Sequence, residues 1–269
     1  MIRLIAIDLD GTLLNSHKEV SSKNLQALHF AQDQGIKVVI CTGRPYSTMH
    51  HLIDKIGLTS KDDYLILYNG AFVQRIYDGK VMVKEELTMR DLQSWYPELT
   101  RLNLPLNVLD QTFVYEPLAY PPGYESFYVG QVTTAPNQKK DFKSFGADQR
   151  FMKFVVTINE DHLSHQIPYL NQDLVKQYTL SRSHPFQLEI MKAGVSKGRA
   201  LKLLADQLTI DSSDIMAIGD QMNDEDMIQY AGMGIVMANG ADQLKEMADF
   251  LTLSNDQDGV AHAIYQFIK

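Results

Sequence analysis

The residues with the greatest chemical potential stand near the N-terminus, in the run L-I-A-I-D-L-D-G-T. Asp8 and Asp10 are carboxylates one residue apart at the end of a short apolar segment. A charge at the tip of a buried strand is costly unless it is solvated, paired or bound to a cation. Taken alone, the pair reads as a solvated turn or helix cap, or as part of a site with a partner of opposite charge. The same pattern recurs. Thr42, Gly43 and Arg44 follow I-K-V-V-I-C, Asn69 follows Y-L-I-L-Y, and Asp220, Asn223 and Asp224 follow D-I-M-A-I-G. Lys197, in G-V-S-K-G, opens a helical pattern.

In open α/β sheets, ligands bind at the carboxyl ends of the strands. If these segments share one sheet, its rim gathers Asp8, Asp10, Asp220 and Asp224 with the Thr42 hydroxyl, the Asn69 amide and the cations Arg44 and Lys197. Crowded carboxylates repel and raise one another's pKa, and a divalent cation removes the conflict. An oxygen donor set without His or Cys suits Mg2+. Such a cation, a lysine, a hydroxyl and a Gly-containing turn make a cradle for phosphate.

The elements needed to position this rim are legible in the hydrophobic pattern. Residues 2–7 and 36–40 are short apolar runs suited to parallel strands buried on both faces. Between them, Ser21 or Ser22 caps a helix to about Gly35, with Leu25, Leu28 and Ala31 on one face. Pro45 opens a helix to about Gly57, and 64–68 is a third strand. This order predicts a doubly wound parallel sheet. Residues 71–84 read as a hairpin turning at Asp78-Gly79. From 85 to 190 the rhythm changes: strand-like pieces such as 151–158 mix with helices at 89–103 and 160–174. The first rhythm then returns, with a helix over 197–208, a strand over 214–219, a helix over 223–231, strands at 233–237 and 249–252, and a final helix from 259.

The chain has 269 residues, 45% of them apolar, enough for one large or two modest domains. A net charge of −8 argues against a broad nucleic-acid footprint. No run approaches the length of a membrane span, and no secretory leader is recognisable. The single cysteine, Cys41, permits no internal disulfide and suits a reducing cytoplasm. The oligomeric state is left open.

D-L-D-G-T-L-L, C-T-G-R-P, the Lys197 of G-V-S-K-G, and G-D-Q-M-N-D resemble the four ordered motifs of the haloacid dehalogenase (HAD) superfamily. With Y-N-G-A at 68–71 and S-N-D-Q-D-G-V-A at 254–261, the chain resembles its Cof-type sugar phosphatases. The resemblance implies a Rossmann-like core, 1–83 plus 191–269, with an inserted α/β cap of the IIB type at 84–190 that closes over the rim. It implies Mg2+-dependent hydrolysis of small phosphate monoesters, sugar phosphates in particular. Asp8, ionised at neutral pH, would be the nucleophile, and Asp10 the acid and then the base, with a pKa raised by its surroundings. Thr42 and the backbone N–H groups of Leu9 and Gly43 would bind phosphate, as would Asn223, and Lys197 would neutralise charge. Asp8, the Asp10 carbonyl and Asp220 would ligate the metal, with Asp224 behind them.

Plainer readings stand beside these. Thr42 could cap the next helix, Arg44 could contact substrate or make an ion pair, Asp224 could be a helix-terminal charge, and Asn69 could simply turn the chain with Gly70. Substrate selection is expected around Asp110, Tyr124 and His184. Two rival functions share the motifs: a phosphosugar mutase, and a non-catalytic metal- or phosphate-binding regulator.

Overall fold

The computed structural model describes residues 1–58 and 62–269. The chain forms two compact units. The first comprises Met1–Arg44, Met49–Lys84 and Ser196–Lys269; the second comprises Pro45–Thr48 and Glu85–Val195.

The first unit opens with β1 (Leu4–Asp8), α1 (Ser22–Asp33), β2 (Lys37–Cys41), α2 (His50–Ile56) and β3 (Tyr64–Leu67). The hairpin β4 (Phe72–Arg75) and β5 (Val81–Lys84) follows. The Ser21 hydroxyl caps α1 by accepting from the Asn24 N–H. Asn24, Ala27, Leu28 and Ala31 make its buried face, while Leu25 is only half-buried. The helix expected from Pro45 is shorter than its pattern. The Pro45 carbonyl accepts from both the N–H and the hydroxyl of Thr48, closing a separate single turn before α2 starts at His50.

The second unit holds β6 (Leu87–Thr88), α3 (Met89–Arg101), β7 (Leu106–Leu109), β8 (Val114–Pro117), β9 (Asn137–Lys140), β10 (Arg150–Phe151) and β11 (Lys153–Thr157). It continues through α4 (Glu160–Gln166), α5 (Gln172–Val175), β12 (Tyr178–His184) and β13 (Gln187–Lys192). The single helix expected over 160–174 is broken. Pro168 lacks the N–H a helix interior requires, and Asn171 starts α5 by accepting from the Asp173 and Leu174 N–H groups. Six strands form one sheet in the order β12-β13-β11-β7-β8-β9. One face of it packs on Trp95, Leu99, Phe142 and Phe151 through Leu106, Val108, Phe154, Val156, Leu188 and Ile190.

The chain then completes the first unit with α6 (Lys197–Leu208), β14 (Ile215–Gly219), α7 (Glu225–Tyr230), β15 (Met233–Val236), α8 (Asp242–Lys245), β16 (Phe250–Leu251) and α9 (Gly259–Phe267). Its eight-stranded sheet runs β16-β15-β14-β1-β2-β3-β4-β5. The pairs from β16 to β3 are parallel, and the pairs β3–β4 and β4–β5 are antiparallel. β1 lies between β2 and β14, and all five of its residues are buried. That placement explains why its sequence is apolar on both faces until Asp8. Among the described residues no helix is long and apolar enough to cross a membrane.

Candidate active site

β1, β2 and β14 are adjacent and parallel, so their carboxyl ends point the same way. Asp8 closes β1, Thr42 follows β2, and Asp220 follows β14. Lys197, the first residue of α6, is fully buried and joins them. Its Nζ lies 2.5 Å from Asp8 Oδ1 and 2.6 Å from Asp224 Oδ1. Ser196 positions that lysine by capping α6 with a bond to the Arg199 N–H. Gly70, at φ +100°, lets the β3 turn approach the same cap, since a Cβ there would lie 2.1 Å from the Ser196 carbonyl oxygen.

Asp8, Asp220 and Asp224 each offer a carboxylate oxygen within 4.8 Å of the others. Asp224 is the most committed of the three. Its Oδ2 accepts from the Asp220 and Gln221 N–H groups at 3.0 and 3.1 Å, and its Oδ1 holds Lys197. Asp220 Oδ1 accepts from the Thr12 hydroxyl at 2.8 Å. Its Oδ2 lies over Gly11, where a Cβ would stand only 2.3 Å away.

Three buried carboxylates face one ammonium. Burial and then the Asp224 charge push the Asp220 carboxyl up to about 6, against the pull of Thr12 and Lys197. Burial drives the Asp8 carboxyl well up too, helped by Asp224 and Asp220 and opposed by Lys197. Lys197 is held firmly protonated: burial works against its charge, but Asp224 and Asp8 outweigh it. One monovalent cation thus leaves excess negative charge in a site with little access to water. Hard oxygen donors at this spacing fit a divalent cation. Burial therefore works against the ionised Asp8 that the sequence leads one to expect.

Asp10 departs from expectation in the opposite direction. Burial raises its pKa, but the Arg44 guanidinium, by hydrogen bonds and charge, and then Lys18 more than offset that, so the carboxyl sits below its ordinary value. Arg44 bonds Asp10 bidentately, and Lys18 Nζ lies 3.1 Å from Oδ1. The raised pKa expected for Asp10 is absent because sequence spacing did not reveal its two cationic neighbours.

The remaining predicted residues divide between backbone and side-chain roles. Thr42 is buried, its N–H bonded to Ile66 and its hydroxyl accepting from the Arg44 N–H at 3.1 Å. Leu9 is a core side chain. Gly43 lies against Asn69, whose Oδ1 would be 2.9 Å from a Cβ there. Asn69, in the left-handed region at φ 55°, accepts from Asn223 Nδ2 at 3.3 Å.

The model of the haloacid dehalogenase-like hydrolases matches residues 5–264. The chain belongs to this family. "Putative phosphatase YxeH" of Bacillus subtilis (strain 168) is 38% identical to this hydrolase, over 100% of this chain and 99% of its own. The 5-amino-6-(5-phospho-D-ribitylamino)uracil phosphatase YcsE of the same organism is 31% identical, over 99% of this chain and 96% of its own. A haloacid dehalogenase-like hydrolase from Bacteroides thetaiotaomicron superposes with a TM-score of 0.84 at 28% identity, over the whole of both chains. The HAD subclass IIB sugar phosphatase BT4131 shares the fold, with a TM-score of 0.81 at 20% identity over 98% of each chain. This mixed α/β hydrolase is a phosphatase by its family and its relatives.

Three residues of the hydrolase that sequence reasoning passed over, Thr12, Lys18 and Asn239, also shape the site, and Asn255, placed near it by the sequence reading, joins them. Thr12 holds Asp220, and Lys18 holds Asp10. Asn239 Nδ2 donates to the Gly11 carbonyl at 2.8 Å, and Asn255 Nδ2 to the Leu14 carbonyl at 2.9 Å. The two asparagines are themselves joined, Asn255 N–H to Asn239 Oδ1 at 2.9 Å. Thr12 lies inside the D-L-D-G-T run and Asn255 inside S-N-D-Q-D-G, so both were within reach of a motif reading. Lys18 and Asn239 carry no comparable signal.

Proposed function

We propose that this hydrolase removes phosphate from small phosphate monoesters, sugar phosphates in particular, through an aspartyl-phosphate on Asp8, with Mg2+ as cofactor. The carrying observation is the Lys197 ammonium bridging Asp8 and Asp224, with Asp220 alongside. The arrangement suits a dianionic phosphate ester and a dication. The name of the relative YcsE, a phosphatase of a ribityl phosphate, supports a polyol or sugar ester as substrate class.

In the proposed reaction an Asp8 oxygen attacks phosphorus, a P–O bond to Asp8 forms and the ester P–O bond breaks. Asp10 gives its proton to the departing alkoxide, then accepts one from the water that attacks the aspartyl-phosphate. Because Arg44 and Lys18 hold Asp10 ionised here, this role requires that grip to loosen when substrate arrives. Lys197 keeps Asp8 oriented and offsets the phosphoryl charge. The Thr42 hydroxyl, the Leu9 and Gly43 N–H groups, Arg44 and Asn223 bind phosphoryl oxygens. Asp8, Asp220 and the Asp10 carbonyl would hold the Mg2+, which supplies positive charge where the transferring group is most negative. Asp224 orients the set from behind. The inserted unit is read as a cap that selects the leaving group. The setting proposed is the cytoplasm, in keeping with a lone buried thiol at Cys41.

The test is phosphate release from p-nitrophenyl phosphate, with Mg2+ and with EDTA. The reading expects turnover with metal only, and none in Asp8→Asn. Turnover by Asp8→Asn equal to that of the wild type would remove Asp8 from the role of nucleophile.

A further inference from the structure

We propose that Asn69 is a positioning residue for phosphate: its side-chain oxygen fixes which way round the Asn223 amide stands, so that Asn223 offers an N–H, and not its oxygen, to the anion. The role of Asn223 toward phosphate rests on the phosphatase reading; its contact with Asn69 does not.

The two ends of a side-chain amide are alike in shape and opposite in chemistry. One donates, the other accepts, and a half-turn exchanges them. An anion takes the donor and repels the acceptor, so an amide that binds phosphate needs a neighbour to hold its nitrogen forward. Asn223 Nδ2 donates to Asn69 Oδ1 at 3.3 Å, across 154 residues of sequence. Turned over, Asn223 would set its oxygen against that of Asn69, two acceptors with no proton between them. The bond uses one of the two hydrogens on Nδ2, and the other remains for a guest.

Asn69 is itself closely held. Its backbone N–H donates to the Thr42 carbonyl at 3.1 Å, and the Tyr68 N–H to the Arg44 carbonyl at 3.4 Å. These two bonds stitch the turn after β3 to the turn after β2. Tyr68, Asn69 and Gly70 all lie at positive φ, 51°, 55° and 100°. Two successive non-glycine residues in that region are strained, and they persist only where the surroundings hold them. Asn69 is 2% exposed, and its amide lies over Gly43, where a Cβ would stand 2.9 Å from Oδ1 and 3.4 Å from Nδ2. Gly43 is not at a positive φ, so the backbone does not demand glycine there; room for the Asn69 amide does.

Reading Asn69 as a turn residue alone accounts for its φ. It leaves unexplained both the amide contact with Asn223 and the glycine beneath it. Thr42, Gly43 and Arg44 stand on the β2 turn and Asn223 beyond β14, so Asn69 ties together two parts of the proposed phosphate cradle that β1 separates in the sheet.

The experiment is a double-variant cycle. It reads the dissociation constant of inorganic phosphate, by calorimetry with Mg2+ present, and kcat/KM for p-nitrophenyl phosphate. Asn69→Gly keeps the left-handed backbone and removes the amide. It should weaken phosphate binding about three- to tenfold, the worth of one hydrogen bond, and lower kcat/KM in step. In an Asn223→Ala background the same substitution should have almost no further effect. A merely structural loss would carry into that background undiminished. An equal effect in both backgrounds therefore overturns the proposal, as does unchanged phosphate affinity in Asn69→Gly. Should Asn69→Gly not fold, Asn69→Ser, whose hydroxyl stops one bond short of the amide oxygen, takes its place in the cycle. Failure of the phosphatase reading shows separately, as no phosphate release from p-nitrophenyl phosphate by the wild type. The calorimetric cycle then decides alone, and absence of phosphate binding by the wild type overturns the proposal.

Discussion

Arg44 grips Asp10 with two nitrogens: Nε lies 2.7 Å from Oδ2, and Nη2 lies 2.6 Å from Oδ1. A bidentate guanidinium–carboxylate pair is among the stronger charge-assisted contacts, and it fixes the carboxylate in both position and protonation. An acid that must donate a proton cannot do so while held this way. The pair therefore reads as a resting arrangement in which phosphate, itself an anion, competes with Asp10 for Arg44.

Replacing Arg44 tests this directly. Removing a neighbouring cation favours the protonated carboxyl, so in Arg44→Met the Asp10 pKa rises. The limb of the kcat pH profile that reports Asp10 should move upward. kcat/KM should also fall, because the phosphate contact proposed for Arg44 is lost. An unmoved limb would mean that Arg44 does not govern Asp10.

Asp220 gives a second prediction. Its carboxyl is raised to about 6 in the folded chain, above the usual 3.8. Between those values the folded state binds the extra proton, so without metal its stability falls as pH rises from about 4 to 6 and beyond. Asp220→Asn removes the effect, and the difference from wild type should approach about 2–3 kcal/mol above pH 6. Urea denaturation in EDTA across this range measures it. Added Mg2+ should stabilise the wild type and not the variant, since a ligand that binds only the folded state adds to its stability.

The strand-level architecture was legible because periodicity and punctuation report burial. β1 and β2 are apolar on both faces because each lies between two parallel neighbours, Ser21 and Gly35 mark the ends of α1, and Ser196 marks the start of α6. The convergence of Asp8, Lys197 and Asp220 followed from where their strands and helix begin and end. The break at Pro168 overrode an otherwise helical pattern. The Arg44–Asp10 pair was invisible because it depends on side-chain direction, not on order along the chain. Asn239 was hidden for the same reason: its amide reaches a carbonyl more than two hundred residues away.

Asn239 and Asn255 tie down the turn that carries Asp10. Asn239→Ala and Asn255→Ala each free a carbonyl of the Gly11–Leu14 segment. Each should lower kcat about tenfold while changing KM little, because placement of the acid rather than binding of the ester is affected. In an Asp10→Asn background the same substitutions should have almost no further effect on kcat. Steady-state kinetics of the single and double variants reads this.

Gly70 should tolerate nothing larger. Gly70→Ala places a methyl against the Ser196 carbonyl and forces an L-residue to φ +100°. A loss of at least about 2 kcal/mol in urea denaturation is expected. Lower activity should accompany it, since Ser196 caps the helix that begins with Lys197. Wild-type stability in the variant would show that the β3 turn can retreat from the cap without cost.

The most direct measurement traps the covalent step. Enzyme turning over a phosphate ester with Mg2+ is quenched into borohydride, which reduces an acyl phosphate to an alcohol, and the N-terminal peptide is sequenced by mass spectrometry. Homoserine at position 8, found only when substrate and metal are both present, is the predicted result. An intact aspartate at that position during sustained turnover would contradict nucleophilic attack by Asp8.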